Sequence, residues 1–136
     1  MSSELARDYV ALVELIEARM RAPFAWGKRA NDCVSFFGAA ILAQTGVDRL
    51  ADLPDWTTQR GALRVLKGLG GLEAAVDGVL TSVPLALAAR GDGGLVSTAT
   101  GPAVMVIEGA TLVGPGPAGL VRLPRAAMLR AWSAAG

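Results

Sequence analysis

The sequence predicts an α+β domain in which N-terminal helices pack on a small antiparallel β-sheet and a short helix closes the chain. Three observations carry that prediction. Apolar residues recur at helical spacing only as far as Leu80. From Val83 onward, short apolar runs rich in β-branched residues are separated by Gly, Pro and Asp, the pattern of strands and turns. The two textures follow one another without interleaving, which argues against a βαβ order. At 136 residues with no linker or internal repeat, residues 1–136 form one domain, long enough to bury roughly two-thirds of the surface of the unfolded chain.

The first helix is expected over residues 3–21, with Leu5, Tyr9, Leu12, Val13, Ile16 and Met20 on one face, and Pro23 ends it. A loop with two aromatics follows, Pro23-Phe24-Ala25-Trp26-Gly27-Lys28-Arg29-Ala30. Asn31 or Asp32 caps a second helix over residues 34–45, which places Cys33 in the first turn and Gly46 at the end. Residues 57–69 predict a third helix capped by Thr57 or Thr58, with Leu63, Val65, Leu66 and Leu69 as its apolar positions. Residues 72–80 predict a fourth, weakened at Gly78.

Strands are expected at residues 84–87, 95–98, 103–107, 110–113 and 120–123, with Glu108-Gly109 as a tight turn. Pro124 in a first helical position, followed by the Ala-rich run to Trp132, predicts the closing helix.

Composition narrows the function. The chain is 52% hydrophobic and 18% charged, against about 25% charged in a typical domain. The excess is either apolar surface destined for a partner or simply alanine. Net charge is +1, and the one basic cluster, Arg19, Arg21, Lys28 and Arg29, lacks interleaved aromatics, so nucleic acid is not an expected ligand. One cysteine allows no internal disulfide. The charged start, Met1 to Asp8, lacks the apolar run of a signal peptide, which points to synthesis in a cytoplasm. No apolar stretch reaches the roughly 18 residues of a membrane span, so no membrane partner is expected.

Cofactor chemistry finds no support. Gly68-Leu69-Gly70-Gly71, Gly91-Asp92-Gly93-Gly94 and Gly114-Pro115-Gly116-Pro117 lack the spacing of phosphate-binding loops and read as turns. With one cysteine and no histidine, strong metal ligands reduce to scattered carboxylates, of which Asp92 could at most hold a surface cation. Cys33 is the remaining candidate. A helix's first turn favours a thiolate, yet free cysteine is commonly buried as a small hydrophobe, and the adjacent Asp32 opposes a second negative charge unless tied up in capping. Without an imidazole to take or return a proton, packing is the favoured reading.

Pro23-Phe24-Ala25-Trp26-Gly27, then Asp32-Cys33, Phe36-Phe37, Thr45-Gly46-Val47-Asp48 and later Arg90-Gly91-Asp92 resemble, in that order, the NlpC-type, papain-like cell-wall peptidase superfamily, and most closely its short phage and prophage branch. The resemblance covers roughly residues 5–132. It implies a papain-like NlpC-type fold in which Cys33 is the vestigial nucleophile for a γ-D-glutamyl bond of peptidoglycan. Asp32 caps its helix, Trp26 and Phe36 line a substrate groove, and the catalytic histidine falls at position 103. Here that position is Ala103. Aromatics beside a helix start are also common core residues, so Trp26 and Phe36 carry that second reading.

The leading expectation is therefore a virion component at a phage tail tip, a pseudoenzyme docking on the tail hub or its neighbours. Two alternatives remain. One is an active peptidoglycan endopeptidase whose base is not histidine or comes from a partner chain. The other is a module that binds peptidoglycan without cutting it.

Overall fold

The computed structural model describes residues 6–136. Those residues form a mixed α+β unit with the helices first: α1 (Tyr9–Arg19), α2 (Cys33–Thr45), α3 (Gln59–Gly68) and α4 (Leu72–Asp77). Six strands follow, β1 (Ser82–Val83), β2 (Gly93–Thr98), β3 (Gly101–Ile107), β4 (Thr111–Gly116), β5 (Gly119–Pro124) and β6 (Arg130–Trp132). They make one antiparallel sheet in the order β1-β6-β2-β3-β4-β5.

The first helix starts later than its periodicity suggests, and the expected positions before Ala6, Leu5 included, lie outside the described residues. Asp8 is the cap, its carboxylate accepting from Ala11 N at 2.9 Å, so Ala6 and Arg7 stay outside the helix. Leu12 and Ile16 are buried, with Leu15 packed beside them, whereas Tyr9, Val13 and Met20 of the expected face are exposed. In α2, Asp32 supplies the cap and Gly46, at φ 77°, the left-handed end. Phe36, Phe37, Ala40 and Ile41 bury against the sheet. Thr58 caps α3, and α4 stops at Asp77 with Gly78 beyond it. Of the apolar positions expected in α3, Leu63 and Leu69 are exposed while Val65 and Leu66 are half-buried.

Three expectations are corrected. Residues 84–87 are not a strand: Leu85–Leu87 form a 3-10 turn after the two-residue β1. Pro84 has no N–H for a ladder, and its carbonyl accepts from Leu87 N at 2.9 Å. The closing helix is also absent, replaced by a 3-10 turn at Arg125–Ala127 and by β6. Burial of Trp132 outweighs the helix preference of the Ala-rich run. The ring is fully buried, its Nε1 donates to Asp77 Oδ1 at 2.8 Å, and Arg130 lies 5.0 Å over it. Finally, two glycine-rich segments expected to turn are strands. Gly93 and Gly94 belong to β2, where the Phe37 ring and the Met128 thioether occupy the space a Cβ would need. Gly114, Pro115 and Gly116 belong to β4.

The sheet separates two apolar clusters. Leu95, Val104, Val106, Val113 and Trp132 face the helices, while Val96, Met105, Ile107, Leu112 and Ala131 face the segments around Ala88 and Met128. Buried Asp92 sits at the start of β2. It is no cation site, because Arg7 reaches it at 2.7 Å and the N–H groups of Ala89 and Ala134 donate to it at 2.8 and 3.0 Å.

One opening in the sheet positions the site. β3 and β4 pair only at Val106↔Val113 and Ile107↔Leu112, although both strands run further. Ile107 N–H points to Asp92 on the β2 side and Glu108 N–H to Thr111 on the β4 side. Antiparallel alternation therefore turns the backbone of Pro102 and Val104 toward β4. Continuing the register would set Val104 against Pro115, which has no N–H to give. The two prolines leave a split that the ladder cannot close.

Candidate functional site

Asp32 is the organising residue of the segment before α2. Its Oδ1 accepts from Ser35 N at 2.9 Å as the helix cap. Its Oδ2 accepts from Gly27 N at 3.1 Å and from Trp56 Nε1 at 2.7 Å. The loop between is drawn into a tight excursion by the paired backbones of Ala25 and Asn31 and by Ser35 Oγ, which donates to Gly27 O at 2.9 Å. Gly27 is needed there: its φ is 144°, and a Cβ would approach that of Ala30 to 3.1 Å. The basic cluster is tied into the same region, with Arg19 donating to Asn31 Oδ1, Lys28 to Leu53 O, and Arg29 paired with Asp48 at 2.7 Å.

Cys33 begins α2, part-buried, packed with Val104 in the helix-side cluster and lining the same cavity as the strands on either side of the split. Burial is the largest influence on the thiol and pushes its pKa above the ordinary value. The backbone N–H groups nearby, those of Val104 and of the first turn of α2, oppose this, and the Asp32 charge adds to it. At neutral pH the group is a thiol, and the neighbouring carboxylate is occupied by three donors.

A cavity of about 500 Å³ opens around this point. It runs from the helical side, where Phe37, Ile41, Leu66, Leu72 and Val76 line it, through the split to Ala103, Met105, Val121 and Leu123. Its walls are overwhelmingly apolar. The exceptions include Asp32, Cys33, Arg49, Gln59 and the threonines at positions 98 and 100.

The structure brings together most of the residues singled out in the sequence. Cys33, Asp32, Trp26 and Ala103 all line the cavity. Trp26 is about two-fifths exposed and stands edge-on to Phe24, their ring centres 4.7 Å apart. Phe36 is a correction: it is fully buried in the core cluster and lines no groove, because its position on α2 points at the sheet. Trp56 and Arg49 went unnoticed. Nothing in the local sequence pattern marks Trp56 as the partner of Asp32, 24 positions earlier. Arg49 lies in a loop with no periodicity, and its Nε is buried without a hydrogen-bond partner among the described residues. The described residues contain no group of three His, Cys, Asp or Glu side chains placed to hold a metal ion, and no helix long and apolar enough to cross a membrane.

Comparison with known proteins shows the family. No curated protein matches the chain. A family model described as a domain of unknown function, DUF6950, matches residues 5–134. That span takes in the Trp26-Gly27 loop, the capped Cys33 helix, the cavity and all six strands, and the chain belongs to this DUF6950 family.

Proposed function

We propose that the chain is a catalytically silent structural component of the tail tip of a bacterial virus or phage-like particle, a papain-like NlpC-type fold docking on the tail hub. The setting of Cys33 carries the reading. Its thiol is held protonated by burial, and no imidazole stands by to take its proton. The resemblance supplies the tail-tip assignment, and a Cys-bearing helix laid on an antiparallel sheet, its thiol against the third strand, supports the finer fold.

The test has two arms. Purified tail particles are analysed by quantitative mass spectrometry, with the chain expected at fixed stoichiometry beside the hub. A fluorescent γ-D-glutamyl peptide is offered to the isolated chain and to the assembled particle. Absence from the particle overturns the tail-tip assignment. Cleavage by wild type but not by Cys33→Ser overturns the silent reading in favour of the peptidase.

A further inference from the structure

The cavity around Cys33 has the size and lining of a ligand site, and its few polar groups say which ligand it fits. We infer that it binds a single-chain fatty acid, the hydrocarbon filling the apolar interior and the carboxylate meeting Arg49. This inference is independent of the tail-tip assignment.

Three observations converge. At about 500 Å³ the cavity falls within the range of small-molecule sites, and its walls at Phe37, Ile41, Leu66 and Val76 offer nothing to a polar ligand. A peptidoglycan stem, with an amide and a charge every few atoms, carries more polar groups than the few polar side chains of this lining can pair. Arg49 lines the cavity with its Nε buried, and among the described residues its guanidinium has no hydrogen-bond partner and no carboxylate within ion-pairing distance. Its neighbour Asp48 is already engaged by Arg29 at 2.7 Å. A buried guanidinium donor without a partner is costly, and a carboxylate is the group that matches its geometry.

The split in the sheet excludes the other apolar occupant, an extended peptide added as a strand. Strand addition needs donors as well as acceptors along the free edge. Pro102 and Pro115 have no N–H to give at this edge. An aliphatic chain needs neither donors nor acceptors.

Isothermal titration of the full chain with dodecanoate and with dodecanol, both below micellar concentration, tests this. Dodecanoate should bind one to one and slow alkylation of Cys33 by a maleimide. Arg49→Gln should weaken dodecanoate about tenfold while leaving dodecanol unchanged, the loss of one charge-assisted contact. Arg49→Lys, which keeps the charge, should retain most of the affinity. Failure of dodecanoate to bind overturns the inference, as does binding that leaves Cys33 unprotected or is indifferent to Arg49→Gln.

Discussion

Replacing Asp32 should be among the most damaging single changes, and the structure says why in parts that can be separated. Asp32→Ala removes the α2 cap, worth about 1 kcal/mol. It also strands two buried donors, Gly27 N–H and Trp56 Nε1–H, at about 1–3 kcal/mol each. The expected loss is about 4 kcal/mol. A 136-residue domain at about 0.05–0.15 kcal/mol per residue still folds after that loss, with a much reduced margin. Asp32→Ser restores a cap to Ser35 N but cannot reach the other two donors, so it should recover about 1 kcal/mol. Urea melts followed by tryptophan fluorescence measure both. Combining each variant with Trp56→Phe isolates the indole bond, with an expected coupling of about 1 kcal/mol or more. If Asp32→Ala costs under about 1 kcal/mol, or if Trp56→Phe costs the same with and without Asp32, the three-donor arrangement is not what holds this loop.

Iodoacetamide should modify Cys33 more slowly in the native protein than in the unfolded chain, with an apparent pKa above 9.0, because burial favours the neutral thiol; a depressed value would place a poised nucleophile there. Glu108 is pushed up by burial, but hydrogen bonds from Arg122 and Thr111 outweigh this and leave its pKa below 4.5. Its contribution is therefore full above pH 4.5 and lost as pH falls through the lower folded value, so thermal melts should show a steeper acid decline for wild type than for Glu108→Gln, by under about 1 kcal/mol at this partly exposed site. Gly93→Ala drives a Cβ into the Phe37 ring and should cost about 1–3 kcal/mol in chemical denaturation, whereas Gly68→Ala, where a Cβ meets open space, should not destabilise.

The helical half was legible because its signals are local. Asp32 and Thr58 are caps, Gly46 is a left-handed terminus, and each acts within four residues of where it stands. The C-terminal half was misjudged where a distant partner decides. Nothing inside residues 124–132 reveals that Trp132 will be buried against Asp77, so the run looked helical. Nothing inside Gly91 to Gly94 reveals that Phe37 and Met128 need the missing side chains, so a strand looked like a turn. The same division holds at the site. Cys33 and Asp32 were identifiable from cap chemistry, while Trp56 matters only through a bond to a residue 24 positions away and Arg49 only through its place in the cavity lining. Each element of the family resemblance also has a structural task here. Trp26-Gly27 shapes the loop, Thr45-Gly46 closes α2, and Gly91-Asp92 anchors β2 to Arg7 and the C-terminal segment. Such residues would be retained for folding whether or not chemistry persists.

That raises the question of how far the site stands from a working Cys–His pair, and Ala103→His answers it. The Ala103 side chain packs with the second cluster, on the face of the sheet away from Cys33, but both residues line the same cavity and no β4 backbone pairs across the split. A side chain at 103 therefore reaches the thiol only by turning through the split. With its pKa above 9.0, Cys33 is under about 1% thiolate at pH 7. An imidazolium partner that brought the pKa to about 7 would raise this to about half. The less basic thiolate loses about tenfold in intrinsic nucleophilicity, so the net gain in alkylation rate at pH 7 is about fivefold. The gain should vanish as pH rises through the imidazole's own titration. A folded Ala103→His protein with an unchanged pH profile would mean that position 103 does not address the thiol, and would count against descent from a peptidase site. A fivefold gain without cleavage of a γ-D-glutamyl substrate would locate the remaining deficit in the largely apolar cavity, which offers such a substrate few polar contacts to hold it.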